Sequence, residues 1–209
     1  MQVHKNESRF IFVSSRSTQR RPVMRERVRE AAATAILEAA EQVAAERGLE
    51  ATSTAAIAER AGVAVGTLYN YFPDREALIA GLFKHRREEI VPRMIAAAEA
   101  AKPLPFEDRL RTYVVSIARE FDRVRLFCRV AMSAEGQVKI RKSSAVMPIV
   151  TTALAEILKP VVRERATEHA VMIFGALKAM MQVRLESDQP LEPAAHMLVD
   201  TVLGGLQRR

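Results

Sequence analysis

Apolar residues recur at three- and four-residue steps through most of this chain, the spacing that gives a helix one buried face. The step is clearest over residues 25–47, where it is kept by Val28, Ala32, Ile36, Ala39 and Val43. Gly48 follows, and glycine just past the last helical residue is a common terminator. The pattern therefore predicts a helix over 25–47 that ends at Gly48.

The same periodicity divides the rest of the chain into helices separated by glycine, proline and polar breaks. Asp74, directly after Pro73, is a suitable N-cap for a long helix. The predicted helices span 52–62, 65–71, 74–100, 106–134, 144–165, 167–187 and 193–206, with breaks at 135–137, near Pro160 and Arg165, and at 187–193. Since Asn-Gly and Asp-Gly hairpin turns are missing from the sequence and alanine is abundant, the predicted fold class is all-α.

Composition indicates the kind of protein and the cellular environment that suit this helical chain. Hydrophobic residues make up 49% of the sequence, enough to bury a real core. No apolar run approaches the roughly 18 residues that a membrane span needs, so we expect no membrane partner. Cys128 is the one cysteine, which excludes an intrachain disulfide and suits a reducing cytoplasm.

The positive charge is concentrated at the start of the chain. The net charge is +7, and the first 29 residues hold eight lysines and arginines against two glutamates, a local charge of +6. Residues 30–100 carry seven basic and eleven acidic residues, a local charge of −4. We therefore expect residues 1–24 to form a disordered basic arm that contacts a polyanion, with nucleic acid the first candidate. A solvated tail without a partner is the alternative.

The two short helices have the spacing of a helix-turn-helix. Ala58 stands where a second helix would cross closely, and Gly62 stands four residues later, where the chain turns sharply. Ile57 and Leu68 are expected to face the inside of a small bundle. Short alanine- and glycine-rich helices can imitate this pattern, so the residues on the flanks matter.

Those flanks carry polar groups suited to DNA. Thr52, Ser53 and Thr54 open the first short helix, where hydroxyls can cap the helix or donate to phosphates. The second helix presents Val65, Gly66, Thr67, Tyr69, Asn70 and Tyr71. A tyrosine hydroxyl can reach a phosphate, and an asparagine amide can pair with the edge of adenine. Half-buried packing is the alternative for each tyrosine alone, but the set directly after the turn favours DNA.

Residues 34–82 resemble the N-terminal DNA-binding domain of the TetR family of regulators. The resemblance is carried by Ile36, Ala39-Ala40, Glu46, Gly48, Ile57-Ala58, "AGVAVGTLYNYF" and Glu76-Ala77-Leu78. It implies a three-helix DNA-binding domain over 25–73, a connecting helix over 74–101 and a helical ligand-binding and dimerisation domain over 102–209. It places DNA contacts at Thr54, Val65, Gly66, Thr67, Tyr69, Asn70, Tyr71 and Arg75.

The sequence departs from the family pattern in the second short helix and at the start of the fourth. Ala64 and Val65 replace a frequent Ser-Lys pair and so remove polar side chains that could reach the bases. We therefore expect recognition of the DNA sequence to depend on contacts with thymine methyl groups, on Asn70 and on DNA shape. Arg75 replaces a frequent lysine but can still reach a phosphate. The helix-turn-helix region has a net negative charge, so we expect the basic arm to supply the electrostatic attraction to DNA that this region lacks.

The second half offers amphipathic helices without a chemical motif. Candidate residues for a ligand pocket are Phe121, Val124, Cys128, Met132, Met147 and Met172, although core packing is the alternative for each of them. The resemblance implies a small-molecule effector, which this lining would make largely apolar. A homodimer is expected through helices 167–187 and 193–206, because the last helix has a broad apolar face that includes Leu198 and Val202.

Other functional classes fit the sequence less well. It has no glycine-rich phosphate loop, no paired-cysteine or HExxH metal motif and no Gly-x-Ser-x-Gly elbow, so we expect no enzyme, no metal and no cofactor. A redox-sensing regulator using Cys128 remains an alternative, although it would need an exposed thiol of low pKa. The sequence favours a dimeric, ligand-responsive transcriptional repressor that binds a palindromic operator, with repression implied by the resemblance alone.

Overall fold

A computed structural model describes residues 20–133, 136 and 146–207. All of its regular elements in these ranges are helices: α1 (Arg20–Arg47), α2 (Thr54–Ala61), α3 (Val65–Tyr71), α4 (Arg75–Ala101), α5 (Phe106–Arg123), α6 (Arg125–Met132), α7 (Val146–Val162), a 3-10 turn (Arg163–Arg165), α8 (Ala166–Glu186) and α9 (Glu192–Gln207). The chain divides after Ala35 into two compact units, so the first part of α1 is a unit by itself. The all-α prediction is confirmed.

Helix α1 begins five residues earlier than the sequence predicted. Residues 20–24, which were expected to belong to the disordered arm 1–24, are helical. Pro22 lies in the first turn, where a missing N–H costs nothing because the first four amides have no partner within the helix. Residues 1–19 of the expected arm lie outside the described residues. The predicted end of the helix is confirmed, and Gly48 follows with φ 86°.

Local signals define α2, α3 and the start of α4. The Ser53 side chain accepts a hydrogen bond from the Ala56 amide, and Asp74 accepts one from Ala77. Gly62 ends α2 in the left-handed region at φ 67°, as its position in the turn requires. Pro92 lies inside α4. The predicted bounds of α3 are confirmed, and those of α4 agree within a residue.

The single helix predicted over 106–134 is wrong, because the structure has two helices that meet at Val124. This residue has φ −102° and ψ 33°, outside the helical region. Its neighbours hold the segment between α8 and α9: Asp122 accepts hydrogen bonds from the amides of Leu191 and Glu192, and Arg125 donates to the carbonyl oxygen of Gln189. These contacts join residues more than 60 positions apart, so sequence periodicity cannot detect them.

The last three helices follow the predictions closely. The break expected near Pro160 and Arg165 falls at residues 163–165, since Pro160 lies within α7. Residues 135 and 137 of the break predicted at 135–137 lie outside the described residues. Helix α5 packs against α4, α7 and α9, and α7 packs along α8. Within the described ranges, no helix has the length and apolar character needed to cross a bilayer.

Candidate functional site

The core of the bundle fixes the position of α3. Leu68 is fully buried, and so are Ile57 and Ala58 on α2. The turn is closed by a hydrogen bond from the Val63 amide to the Ala58 carbonyl oxygen, at 2.9 Å. Because a seven-residue helix is too short to be stable by itself, this packing determines its orientation. The helix-turn-helix geometry expected from the sequence is present.

The opposite face of α3 is open to solvent. Val65 and Tyr69 are 41% and 45% exposed, and Gly66 and Asn70 are exposed as well. A Cβ placed on Gly66 would meet nothing within 4 Å, so this part of the backbone is accessible to a partner. Four of the six residues predicted on this helix therefore lie on one accessible surface, which we call the α3 face.

Thr67 and Tyr71 are half-buried, and Tyr71 packs against the core. The alternative interpretation of the tyrosines, half-buried packing, therefore describes Tyr71 better than Tyr69.

The hydroxyls at the start of α2 have three different surroundings. Thr52 is buried and donates to the Gly48 carbonyl oxygen at 2.7 Å, and Ser53 caps α2. The Thr54 hydroxyl lies 3.2 Å from the Tyr69 hydroxyl, and this pair is exposed. Thr54 is therefore the hydroxyl of the three that adjoins the α3 face.

Arg75 has a structural environment that the sequence did not indicate. Its Nε donates to the Thr52 carbonyl oxygen at 3.2 Å, and its Nη2 donates to the Leu49 carbonyl oxygen. The guanidinium thus ties the start of α4 to the segment between α1 and α2. The two carbonyl oxygens engage two of its five N–H groups, so Arg75 has a positioning role, and its contact with a phosphate stays a prediction.

A buried ion pair joins α1 to α4. Arg86 Nε lies 2.5 Å from Glu41 Oε2, and Arg86 also pairs with Glu89. The Glu41 side chain is 6% exposed and that of Arg86 13%. Burial alone would lower the pKa of Arg86, but the two carboxylates raise it above its usual value. A signal for this pair was available in the sequence, because Glu41 interrupts the apolar face of α1.

An apolar cavity of about 660 Å³ lies between α4 and α7, with one residue from the start of α5. Its walls are mostly aliphatic and its rim is charged. It is lined by Met94, Ile95, Ala98, Glu99, Lys102, Arg109, Pro148, Ile149, Thr152, Ala153, Glu156 and Ile157. Lys102 pairs with Glu99 at 2.6 Å, and Arg109 donates to the Leu104 carbonyl oxygen. This α4–α7 cavity is large enough for a drug-sized molecule.

Comparison with known proteins finds relatives of residues 36–82, which we call the head. Residues 36–82 match the model of the tetR family of bacterial regulatory proteins. Over 111 residues the chain is 36% identical to the transcriptional repressor KstR of Mycolicibacterium smegmatis, which covers 49% of this chain and 53% of that protein. The chain is thus similar to the tetR family over residues 36–82. It spans between 30% and 59% of the length of four curated relatives that it matches.

Solved structures of TetR-type regulators share the fold over a longer stretch. The fatty acid degradation regulator FadR from Bacillus halodurans is 25% identical, with a TM-score of 0.66 over 82% of this chain and 98% of that one. FadR from Bacillus subtilis, solved with stearoyl-CoA, is 22% identical, with a TM-score of 0.63 over 80% and 95% of the two chains. KstR and both FadR proteins are regulators.

The residues predicted to line a ligand pocket have different surroundings. Val124 and Cys128 are buried in the core, Phe121 packs edge-on against Phe174, and Met132 is half-buried. Met147 and Met172 are 51% and 69% exposed. None of the six lines the α4–α7 cavity. A pocket at these six residues stays a prediction. The break at Val124 interrupts the apolar stripe that suggested it, and Met172 lies on the exposed side of α8.

The environment of Cys128 disfavours a role as a redox sensor. The thiol is 5% exposed and lies 3.8 Å from the Phe121 carbonyl oxygen, to which it donates. Burial raises its pKa to about 12, so the reactive thiolate is scarce at neutral pH.

We expect Cys128 to react with a thiol reagent such as DTNB far more slowly in the native protein than in denaturant. The physical reason is that both access and ionisation of the thiol require local opening. Labelling is followed by absorbance at neutral pH, with the guanidinium-unfolded protein as control. Equally fast labelling of native and unfolded protein would restore the redox alternative.

Proposed function

We propose that this chain is a cytoplasmic transcriptional repressor that binds a palindromic operator as a homodimer and releases it when a small, largely apolar effector binds. The observation that carries the proposal is the solvent-open α3 face, held on a helix-turn-helix turn within residues 36–82. An element of this kind enters the major groove with its exposed side chains against base edges.

Each residue of the α3 face has a chemical role in this proposal. Asn70 pairs its amide with an adenine edge, and Val65 contacts a thymine methyl group. Gly66 lets the backbone approach closely, and Tyr69, beside Thr54, donates to a phosphate. Thr67 and Tyr71 contribute from the half-buried edge of the helix.

The first part of α1, up to Ala35, adds positive charge that the head lacks. Arg25, Arg27 and Arg29 are exposed on a helix, whereas residues 30–100 are net negative. Arginines here attract the phosphate backbone of any sequence by displacing its counterions. Affinity from this segment and selectivity from the α3 face are therefore separate contributions.

The α4–α7 cavity is the proposed effector site. Four of its lining residues fall on α4 between Met94 and Glu99, and a fifth, Lys102, follows the end of the helix; together they span about 12 Å. Its apolar walls suit a hydrocarbon chain, and the charged rim suits a polar head left near solvent. Because FadR of Bacillus subtilis was solved with stearoyl-CoA, a long-chain acyl thioester is our first candidate.

Release of DNA follows from differential affinity. Helix α4 contacts α1 and the segment after it at one end, through Arg75 and Arg86, and lines the cavity at the other. An effector that binds better to one position of α4 shifts the population towards that position. If the two recognition helices of the dimer are then no longer about 34 Å apart, they cannot enter successive major grooves.

A gel-shift titration tests the proposal. The full chain is titrated against the DNA that flanks its own gene, with a shuffled duplex as control and the salt concentration fixed. Stearoyl-CoA is then added to the complex, and free CoA serves as its control. Sequence-selective binding is expected, followed by release with stearoyl-CoA alone. Equal binding to the shuffled duplex would contradict the regulator, whereas selective binding without release would contradict only this effector.

Tyr69→Phe is expected to weaken operator binding by about 1 kcal/mol, because one hydroxyl leaves the α3 face while the ring stays. The measurement is a fluorescence anisotropy titration at matched salt, with circular dichroism to check the fold. Binding to the shuffled duplex is the control and should change less. Identical operator affinity in variant and wild type would assign the Tyr69 hydroxyl to its contact with Thr54 alone.

A further inference from the structure

Arg109, at the start of α5, is a half-buried cation on the wall of the α4–α7 cavity. Its Nε donates to the Leu104 carbonyl oxygen at 3.2 Å, and its Nη2 donates to the carbonyl oxygens of Lys102 and Leu104. No carboxylate oxygen of the described residues lies within 4.0 Å of its guanidinium nitrogens. The charge of Arg109 is therefore held in place by neutral groups.

The other charged residues that line this cavity have partners of opposite charge. Glu99 pairs with Lys102 at 2.6 Å, and Glu156 lies 4.0 Å from Lys159. Each pair joins residues three positions apart, so its two charges largely cancel. Among the described residues that line the cavity, Arg109 is thus the charge left without an opposite one.

Two other arginines of α5 show the contrast. Arg111 pairs with Asp200 at 2.6 Å, and Arg119 pairs with Glu192 at the same distance, so both join α5 to a carboxylate on α9. A guanidinium has five N–H donors in a planar fork. At Arg109 the bonds to the two carbonyl oxygens use Nε and Nη2, and Nη1 has no acceptor within the described ranges.

These surroundings suit one end of an amphiphilic anion. A hydrogen bond from a guanidinium to a carboxylate or phosphate is about twice as strong as one between neutral groups. The walls beside Arg109 are aliphatic and include Ile95, Ile149 and Ile157. A hydrocarbon chain attached to the anion would lose contact with water along these walls.

We propose that Arg109 binds an oxyanion at the polar end of the effector, so that the site selects anionic amphiphiles over uncharged molecules of the same shape. The proposal rests on the proposed function in one respect, that the α4–α7 cavity holds the effector. A free long-chain acid supplies the oxyanion as a carboxylate, and a CoA thioester supplies it as a phosphate. The shared chemistry is the oxyanion, and the experiment separates the two sources.

The probes are decanoate, decanamide and decanoyl-CoA, each titrated by calorimetry into the full-length protein at neutral pH and fixed salt. Decanoate and decanamide have the same chain length and nearly the same shape, so the ratio of their Kd values measures the effect of charge. We expect decanoate to bind about tenfold more tightly than decanamide, because its contact is charge-assisted. The ratio should fall as the salt concentration rises.

Arg109→Gln removes the charge from the cavity wall. Its matched control is Arg111→Gln, which removes the same charge from the same helix at a residue that does not line the cavity. With Arg109→Gln the preference for decanoate should disappear, while the affinity for decanamide stays within about twofold and so reports an intact cavity. With Arg111→Gln the preference should persist. Arg109→Met repeats the test with the aliphatic stem retained, should glutamine disturb the fold.

Decanoyl-CoA identifies the source of the oxyanion. A loss of about tenfold in its affinity with Arg109→Gln would assign a phosphate to Arg109. A loss confined to decanoate would assign a carboxylate at the end of the chain. Either result supports an oxyanion site.

The proposal would be overturned if both anionic probes bound the Arg109 variants as tightly as the unaltered protein. Losses of equal size in Arg111→Gln would overturn it as well, since the effect would then come from net charge. So would the absence of binding by both anionic probes. None of these results bears on operator release by stearoyl-CoA, which is measured separately with the unaltered protein. Failure of Arg109 as a selector and failure of the proposed function are therefore distinguishable.

Discussion

A protein with Met172→Glu and Val183→Glu is expected to be folded, monomeric and unable to bind its operator. Both side chains lie on the outer side of α8, 69% and 64% exposed, with Gly175 and Ala179 exposed between them. We propose that this apolar and small-residue row faces a second copy. Two glutamates per copy would place four carboxylates in the interface, at several kcal/mol for each one left without a partner.

Light scattering measures the mass, circular dichroism the fold, and anisotropy the operator affinity. The control is Val161→Glu, which adds a carboxylate at an exposed apolar position of α7 and should remain dimeric. Leu198 and Val202, which the sequence suggested for such a test, pack against the core of their own protomer, so glutamate there would also destabilise the monomer. A double variant that stays dimeric and binds DNA would place the interface elsewhere.

Arg86→Met is expected to lower the free energy of unfolding by about 3 kcal/mol, because it leaves Glu41 buried without its partner. For a chain of this size, that corresponds to a fall in Tm of about 6–12 °C. The measurement is thermal and urea unfolding followed by circular dichroism at neutral pH.

Lys84→Met is the matched control on the same helix. Lys84 pairs with Glu88 at 3.8 Å, and both side chains are about two-thirds exposed, so we expect a loss of at most about 0.5 kcal/mol. Adding Glu41→Leu to Arg86→Met should recover most of the stability by removing the stranded carboxylate. Equal effects of Arg86→Met and Lys84→Met would show that the buried pair contributes no more than a surface pair.

Local chemistry explains why the helix-turn-helix was predictable. Gly62, Ser53 and Asp74 act within four residues of their own position, so the sequence contains the whole cause of the turn and of the two caps. The break at Val124 has a distant cause, since Asp122 and Arg125 bind the segment between α8 and α9. A periodic apolar stripe continued across it, and nothing nearby in the sequence marked its end.

In the candidate site, too, some features have a local cause in the sequence and others depend on distant residues. The exposure of Val65 and Tyr69 follows from the helical register once Leu68 is known to face inward. The role of Arg75 does not, because it depends on two carbonyl oxygens in the preceding segment. The cavity was missed for a similar reason: it needs α4 beside α7, and aliphatic residues such as Ile95 and Ile149 look like ordinary core in the sequence.

Pro92 provides a hinge position within α4. Without an N–H, it cannot bond the carbonyl oxygen of Glu88, so the hydrogen-bond ladder of the helix has a gap at this point. The gap separates the segment held to the head by Arg86 from the segment that lines the cavity from Met94 onwards. Because this backbone hydrogen bond is already absent, bending the helix at Pro92 breaks no further hydrogen bond. The two segments of α4 can therefore fluctuate as separate cooperative units, with the head keeping its internal order while the cavity segment changes its angle.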